Sequence, residues 1–98
     1  MNNEKFNKVG DILQKRLSKK YDEVRVIIKD KSEMYHASLN VYANNLNARG
    51  LRIDNFEIQF DTTNNTQFLY DVGYFGIDVN KTPLSIANQL MNNIKKYK

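Results

Sequence analysis

The side chains of this chain that most readily do chemistry are its carboxylates and one histidine. His36 is the only histidine, and the chain has no cysteine. A general base or a metal ligand at His36 needs partner side chains, and without cysteine a metal site falls to carboxylates. The residues near His36 in the sequence do not form a set of side chains that could bind a metal or act with it as a base. A surface position is therefore the simpler interpretation of this histidine.

Three carboxylates alternate so that one face of a sheet would carry them all. Glu57 and Asp61 lie on one predicted strand, and Asp71 lies on the next. Two carboxylates about 5–10 Å apart across a cleft are typical of glycoside hydrolysis, but a flat sheet face offers no cleft. Ordered acids on a sheet instead imitate the charge of a nucleic-acid backbone and fit a basic groove on another protein. These residues therefore predict a contact surface.

Two predicted helices and a set of strands must position these side chains. The first helix covers residues 3–20, and its apolar residues recur with helical spacing at Phe6, Val9, Leu13 and Leu17. The second helix begins at Pro83, with Thr82 as its N-cap. Its apolar stripe consists of Leu84, Ala87, Leu90, Met91, Ile94 and Tyr97.

Between the helices the hydrophobic period changes to two, which predicts four β-strands. The core-facing residues of the first two are Val24, Val26, Ile28, Tyr35, Ala37, Leu39 and Val41. In the third strand, residues 51–61, the apolar positions change from odd to even near Asp54 and Asn55, which predicts a β-bulge. The fourth strand has two predicted faces. Phe68, Tyr70, Val72 and Tyr74 face the core, and Leu69, Asp71 and Gly73 face the opposite side.

The predicted fold is a single α+β domain over residues 1–98, a two-layer sandwich of order α-β-β-β-β-α. Short links between the strands indicate a four-stranded antiparallel meander, with both amphipathic helices on one face. The other face is left open, and its predicted partner-binding residues are Glu57, Asp61, Asp71, Ile27, Tyr42 and Leu69. Tyrosine is enriched at interfaces, so we expect this face to bind a protein partner or a second copy of the chain.

The net charge of +4 is unevenly distributed along the chain. Residues 1–20 hold six basic and two acidic groups, residues 81–98 hold four basic groups and no acid, and residues 21–80 hold five basic and nine acidic groups. Lysines on helix faces neutralise phosphates without reading sequence. An alternative hypothesis is therefore a nucleic-acid-binding module that uses Lys8, Lys15, Lys19, Lys95 and Lys96.

The small size and the absence of a catalytic set predict a non-enzymatic binding protein that needs no cofactor or metal. No apolar run reaches the length of a signal peptide or a membrane span, so we expect a cytoplasmic protein without membrane contact. A composition rich in Asn and Lys indicates a low-GC bacterial or phage genome. The most specific hypothesis is a phage or mobile-element inhibitor of a host nucleic-acid enzyme, of the anti-defence or anti-CRISPR type, acting through an acidic sheet face.

Overall fold

A computed structural model describes residues 3–30 and 37–97, which form two α-helices and one antiparallel sheet. The elements in chain order are α1 (Asn3–Leu17), β1 (Glu23–Lys29), β2 (Ser38–Leu46), β3 (Arg52–Asp61), β4 (Thr66–Leu69), β5 (Gly73–Gly76) and α2 (Pro83–Tyr97). The strands lie in chain order, and each pairs antiparallel with the next. The predicted α+β class and the meander are confirmed, with five strands where four were predicted.

One hydrophobic core lies between the sheet and the helices. Its buried side chains are Phe6, Val9, Leu13, Leu17, Leu39, Val41, Ala43, Ile58, Phe60, Leu69, Ile77, Ile86, Ala87, Leu90 and Ile94. Because residues of both helices belong to this one cluster, both helices cover the same face of the sheet, as predicted. Ile86 packs in the core, whereas Leu84, which was predicted to do so, is 51% exposed. Neither described helix is long and apolar enough to cross a membrane.

The predicted fourth strand is two strands joined by a tight turn. β4 ends at Leu69, and the Val72 N–H donates to the Leu69 carbonyl across 3.0 Å, which closes a β-turn. Asp71 has a φ of 66° and Gly73 a φ of 132°. Aspartate tolerates the left-handed value at position 71, and glycine is the residue that readily adopts the larger value at position 73. The alternation of apolar residues continues through the turn, so the pattern alone predicted one strand.

The pairing of β4 with β3 places in the core the side of β4 that was predicted to be exposed. Gln67 pairs with the buried Phe60, and paired residues share a face of the sheet. Leu69, two residues on, is therefore in the core and only 1% exposed. The prediction that Leu69 projects from the open face is wrong for this reason. The residues predicted to face the core in its place, Tyr70, Val72 and Tyr74, are exposed.

Gln67 is a fully buried polar side chain that fastens β4 to α2. Its Nε2 donates to the Leu90 carbonyl across 3.1 Å, and its Oε1 accepts from Asn93 Nδ2 across 2.9 Å. Burial of a polar group is tolerated when the group is hydrogen-bonded. These two bonds therefore allow an amide to occupy a core position.

The predicted β-bulge is present in β3. Ala43 pairs with Phe56, but Asn45 pairs with Ile53, so that Asp54 and Asn55 together lie opposite one residue of β2. Asp54 has a φ of 54°, a left-handed conformation of the kind found at the first position of one class of bulge. The bulge explains why the apolar positions of β3 change from odd to even.

Candidate functional site

The sheet face opposite the helices is a surface that neither described helix covers. We call it the open face. It carries Glu23, Arg25, Ile27, Lys29, Ser38, Asn40, Tyr42, Asn44, Leu46, Arg52, Glu57, Gln59, Asp61, Thr66, Phe68 and Tyr74. These side chains alternate along each strand with the side chains that point toward the helices.

Cross-strand pairing arranges the open face in rows that run from strand to strand. The first row is Arg25, Tyr42 and Glu57. The second is Ile27, Asn40, Gln59, Phe68 and Tyr74. The third is Lys29, Ser38, Asp61 and Thr66. Directly paired residues have Cβ atoms about 4.5–5.5 Å apart, so neighbours within a row are in contact range.

Tyr42 lies at the centre of the first row and contacts a charge on each side. The Arg25 guanidinium carbon is 5.4 Å from the centroid of the ring, a cation–π distance. On the other side, Glu57 pairs with Tyr42 across the strands, and its Oε1 accepts from Gln59 Nε2 across 2.8 Å. Burial raises the pKa of Tyr42, and the negative charge of Glu57 raises it further. The phenol is therefore a protonated hydrogen-bond donor at neutral pH.

A depression of about 600 Å³ opens beside Tyr42, at the end of the sheet where the bulge lies. Charged side chains of both signs line it, including Arg25, Glu57 and the ion pair of Arg52 with Glu23, whose Nε and Oε1 atoms are 3.2 Å apart. A depression of mixed charge with an aromatic ring in its wall is suited to holding a side chain of another protein.

Among the described residues that strand pairing places on the open face, the formal charges balance, whereas the sequence predicted an acidic face. Three acidic residues are balanced by three basic ones, namely Glu23, Glu57, Asp61, Arg25, Lys29 and Arg52. The physical reason is that Arg25 and Lys29 lie on the same side of β1 as Ile27. Counting charge by segment of the chain does not reveal this balance, because neighbouring strands bring different segments together.

The structure places four of the six predicted partner-binding residues on the open face. These four are Ile27, Tyr42, Glu57 and Asp61. Asp61 also supports the turn that follows β3, because its Oδ1 accepts from the N–H groups of Thr63 and Asn64 at 2.9 and 3.1 Å. Asp71 lies in the turn between β4 and β5, away from the rows, and Leu69 lies in the core.

Two aromatic residues of the open face were missed by the sequence analysis. The rings of Phe68 and Tyr74 have centroids 5.1 Å apart and planes inclined at 49°, and Tyr74 is 70% exposed. Apolar alternation assigned both to the core. Asp71 and Gly73 were the signal for a turn, and a turn here would have placed Phe68 and Tyr74 on separate, paired strands.

The lysines of the alternative hypothesis are exposed on the helix layer. Lys8 forms an ion pair with Glu4 at 3.9 Å, in which both side chains are largely exposed. Lys15 and Lys19 lie near the C-terminal end of α1, and Lys95 and Lys96 near that of α2. All five lysine side chains are exposed, so their charges are accessible to a ligand.

Residues 3–30 and 37–97 contain no candidate metal centre. No three His, Cys, Asp or Glu side chains of that part of the chain are grouped so as to hold a metal ion. His36 lies outside the described residues. Comparison of the chain with protein-family models, with curated proteins and with solved structures gave no match.

Proposed function

We propose that this protein is a non-enzymatic protein-binding module whose contact surface is the open face. The observation that carries the proposal is the chemistry of that face. Aromatic rings, amides and charges of both signs lie side by side on a surface over which neither described helix packs. Tyr, Phe and Arg are enriched at protein interfaces, and Tyr42, Phe68 and Arg25 supply all three.

The charge balance of the open face defines the kind of partner. A purely basic groove would be attracted by Glu57 and Asp61 but repelled by Arg25 and Lys29. We therefore propose a partner surface that carries charges of both signs. Inhibition of a host nucleic-acid enzyme by a phage or mobile-element protein remains a proposal in this narrower form, with Glu57 and Asp61 contacting the basic residues of the target.

Tyr42 is the proposed anchor of the contact. It lies at the edge of the depression, between a cation and a carboxylate, and is only partly exposed. Residues that dominate binding energy are most often Trp, Tyr or Arg near the centre of a contact. The neighbouring Arg25 makes its cation–π contact with the same ring, so removal of the ring also removes the contact that positions Arg25.

Replacing Tyr42 by alanine is expected to weaken partner binding by about thirtyfold, the effect of losing one dominant interface residue. The partner is first captured with a photoreactive amino acid at Tyr74, while the same amino acid at Asn92 on α2 serves as the control. Binding of the purified partner to the wild type and variants is then measured by titration calorimetry.

The matched variant for this experiment is Lys15→Ala on α1, which is expected to leave the affinity unchanged. Circular dichroism of each variant verifies that the fold is intact. Two results would show that the open face is not the contact surface. One is capture of the partner by the photoreactive amino acid at Asn92 but not at Tyr74. The other is an affinity for the partner that Tyr42→Ala does not change.

The second candidate function is nucleic-acid binding by the helix layer. Residues 3–20 and 83–97 hold eight basic and two acidic side chains, while the open face is neutral. A surface with a large excess of positive charge attracts phosphates over several ångströms, and its affinity for them depends on salt concentration. This observation favours the helices, and not the sheet, as the surface for any polyanion.

If the five lysines each contact one phosphate, the logarithm of the affinity for duplex DNA should fall with a slope of about −4.5 against the logarithm of salt concentration. That slope corresponds to about a 500-fold loss between 50 and 200 mM salt. Fluorescence anisotropy with a labelled duplex measures it, and Lys95→Gln with Lys96→Gln should reduce the slope by about 2. Absence of binding at low salt would exclude this function.

A further inference from the structure

Apart from Glu23 and Arg52, which form an ion pair at one end of the sheet, the open face separates its two signs of charge onto different strands. Arg25 and Lys29 lie on β1, while Glu57 and Asp61 lie on β3. The strand between them, β2, contributes only uncharged side chains to this face, namely Ser38, Asn40, Tyr42, Asn44 and Leu46. A basic strip and an acidic strip therefore run on either side of a neutral strip.

The charges of the two strips also lie at the same heights along the strands. Arg25 shares its row with Glu57, and Lys29 shares its row with Asp61. The two members of a row are two strand spacings apart, about 10 Å, and the rows are four residues apart, about 13 Å. The four charges thus form a rectangle that is positive along one long side and negative along the other.

This layout is complementary to itself under one particular two-fold rotation. An axis that runs along β2, between two stacked sheets, places β1 of one copy over β3 of the other without a shift along the strands. Arg25 then lies over Glu57 of the other copy, and Lys29 lies over Asp61 of the other copy. We propose that the open face is the interface of a two-fold dimer of this chain.

The opposite orientation is disfavoured by the same charges. A two-fold axis across the strands at Ile27 would stack β1 on β1, with Arg25 over Lys29 of the other copy. It would also stack Glu57 over Asp61 of the other copy, and like charges in contact repel. The attractive orientation leaves uncharged groups in its middle row, where Asn40 meets Asn40 of the other copy and Ile27 meets Gln59.

The size of the face predicts a reversible dimer. The axis along β2 overlaps β1, β2 and β3 of the two copies and leaves β4 and β5 outside the interface. Three strands are about 14 Å wide and seven residues of β1 span about 23 Å, which is roughly 320 Å² of flat area on each copy. The total of about 650 Å² is below that of most specific interfaces, which predicts a weak dimer. Stacked sheets lie about 10 Å apart, and their strands are inclined by about 30°. Arg25 and Lys29 therefore reach the acidic residues of the other copy by rotation of their long side chains.

This inference rests on the proposed function, because it names a second copy as a partner of the same face. Analytical ultracentrifugation of the full chain over about 1 μM to 1 mM protein, a range that brackets dissociation constants of weak dimers, should show a monomer–dimer equilibrium. High salt should weaken the dimer because it screens exposed charges. Arg25→Glu and Glu57→Arg should each weaken it at least tenfold, and Lys15→Glu on the helix layer should not.

The decisive measurement mixes the two charge-reversal variants. In each variant alone, residues 25 and 57 carry the same sign and oppose each other across the interface. In the mixture, residue 25 of either copy faces residue 57 of opposite sign, so a heterodimer should form with wild-type affinity. Circular dichroism and the sedimentation of each variant alone verify that both are folded.

Two outcomes would overturn the dimer. One is a chain that stays monomeric at every concentration, and the other is self-association that neither charge reversal affects. If the chain stays monomeric and the photoreactive amino acid at Tyr74 captures a different protein, the dimer is refuted and the proposed function is retained. Conversely, a dimer that follows the charge rules without capture of another protein would support the inference and refute a foreign partner for this face.

Discussion

Replacing Leu69 by aspartate is expected to unfold the protein, with a loss of more than about 4 kcal/mol in the free energy of unfolding. Leu69 is 1% exposed and belongs to the core cluster. A carboxylate there would lose its hydration without gaining a partner, and the leucine's apolar contacts would be lost as well. Urea denaturation followed by circular dichroism measures the change, and a chain too unstable to fold shows it directly as the loss of helix signal.

The matched variant is Tyr74→Asp on the neighbouring strand. Tyr74 is 70% exposed and lies on the open face, so the substitution should change the free energy of unfolding by less than about 1 kcal/mol. The comparison tests which side of β4 faces the helices, because the alternation of the sequence alone assigned Leu69 to the outside. Equal tolerance of both substitutions would contradict the pairing of Gln67 with Phe60.

Replacing Gly10 by valine is expected to lower the free energy of unfolding by about 2–3 kcal/mol, since it overfills a packed contact. A Cβ atom at Gly10 would lie 3.0 Å from Val26 Cγ1 and 3.4 Å from Leu39 Cδ1, and valine adds two further methyl groups. Helix propensity acts in the opposite direction and recovers only about 0.5 kcal/mol. Packing therefore decides the sign of the change in the free energy of unfolding.

Gly76→Val in β5 is the control for this substitution. A Cβ at Gly76 would have no neighbouring atom within 4 Å, and valine favours strands. The free energy of unfolding should therefore be unchanged or slightly higher, as judged from the midpoint of urea denaturation. If Gly10→Val proved neutral, α1 would have to lie further from the sheet than the Gly10 contacts indicate.

The helices and the bulge could be predicted because their signals are local. Phe6, Val9, Leu13 and Leu17 repeat with the period of a helix wherever that helix is placed. The odd-to-even change near Asp54 depends only on which side of a strand is apolar, so it indicated a bulge before any partner strand was known. The number of layers followed from two amphipathic helices that each need an apolar surface to cover.

The candidate site was predicted only in part, because it combines residues from several strands. Alternation correctly assigned Tyr42 and Glu57 to one face, since the bulge at Asp54 and Asn55 lies before Glu57 and the alternation is regular from Phe56 to Phe60. It wrongly assigned Phe68, because the turn at residues 70–72 separates two strands whose apolar residues continue in phase. Arg25 was visible in the sequence, but its position in one row with Glu57 depends on the pairing of β1 and β3 with the same strand.

The sequence by itself determined the period of each element, the polarity of its faces and the total charge on each segment. Tertiary structure alone decided which face of β4 is buried and that the open face is neutral. The physical reason is that helical and strand periods arise within one stretch of backbone. Which side of a strand is buried, and which charges lie side by side on a sheet, depend instead on the hydrogen-bonded register between strands. The basic strip of β1 and the acidic strip of β3 became one self-complementary surface only through that register.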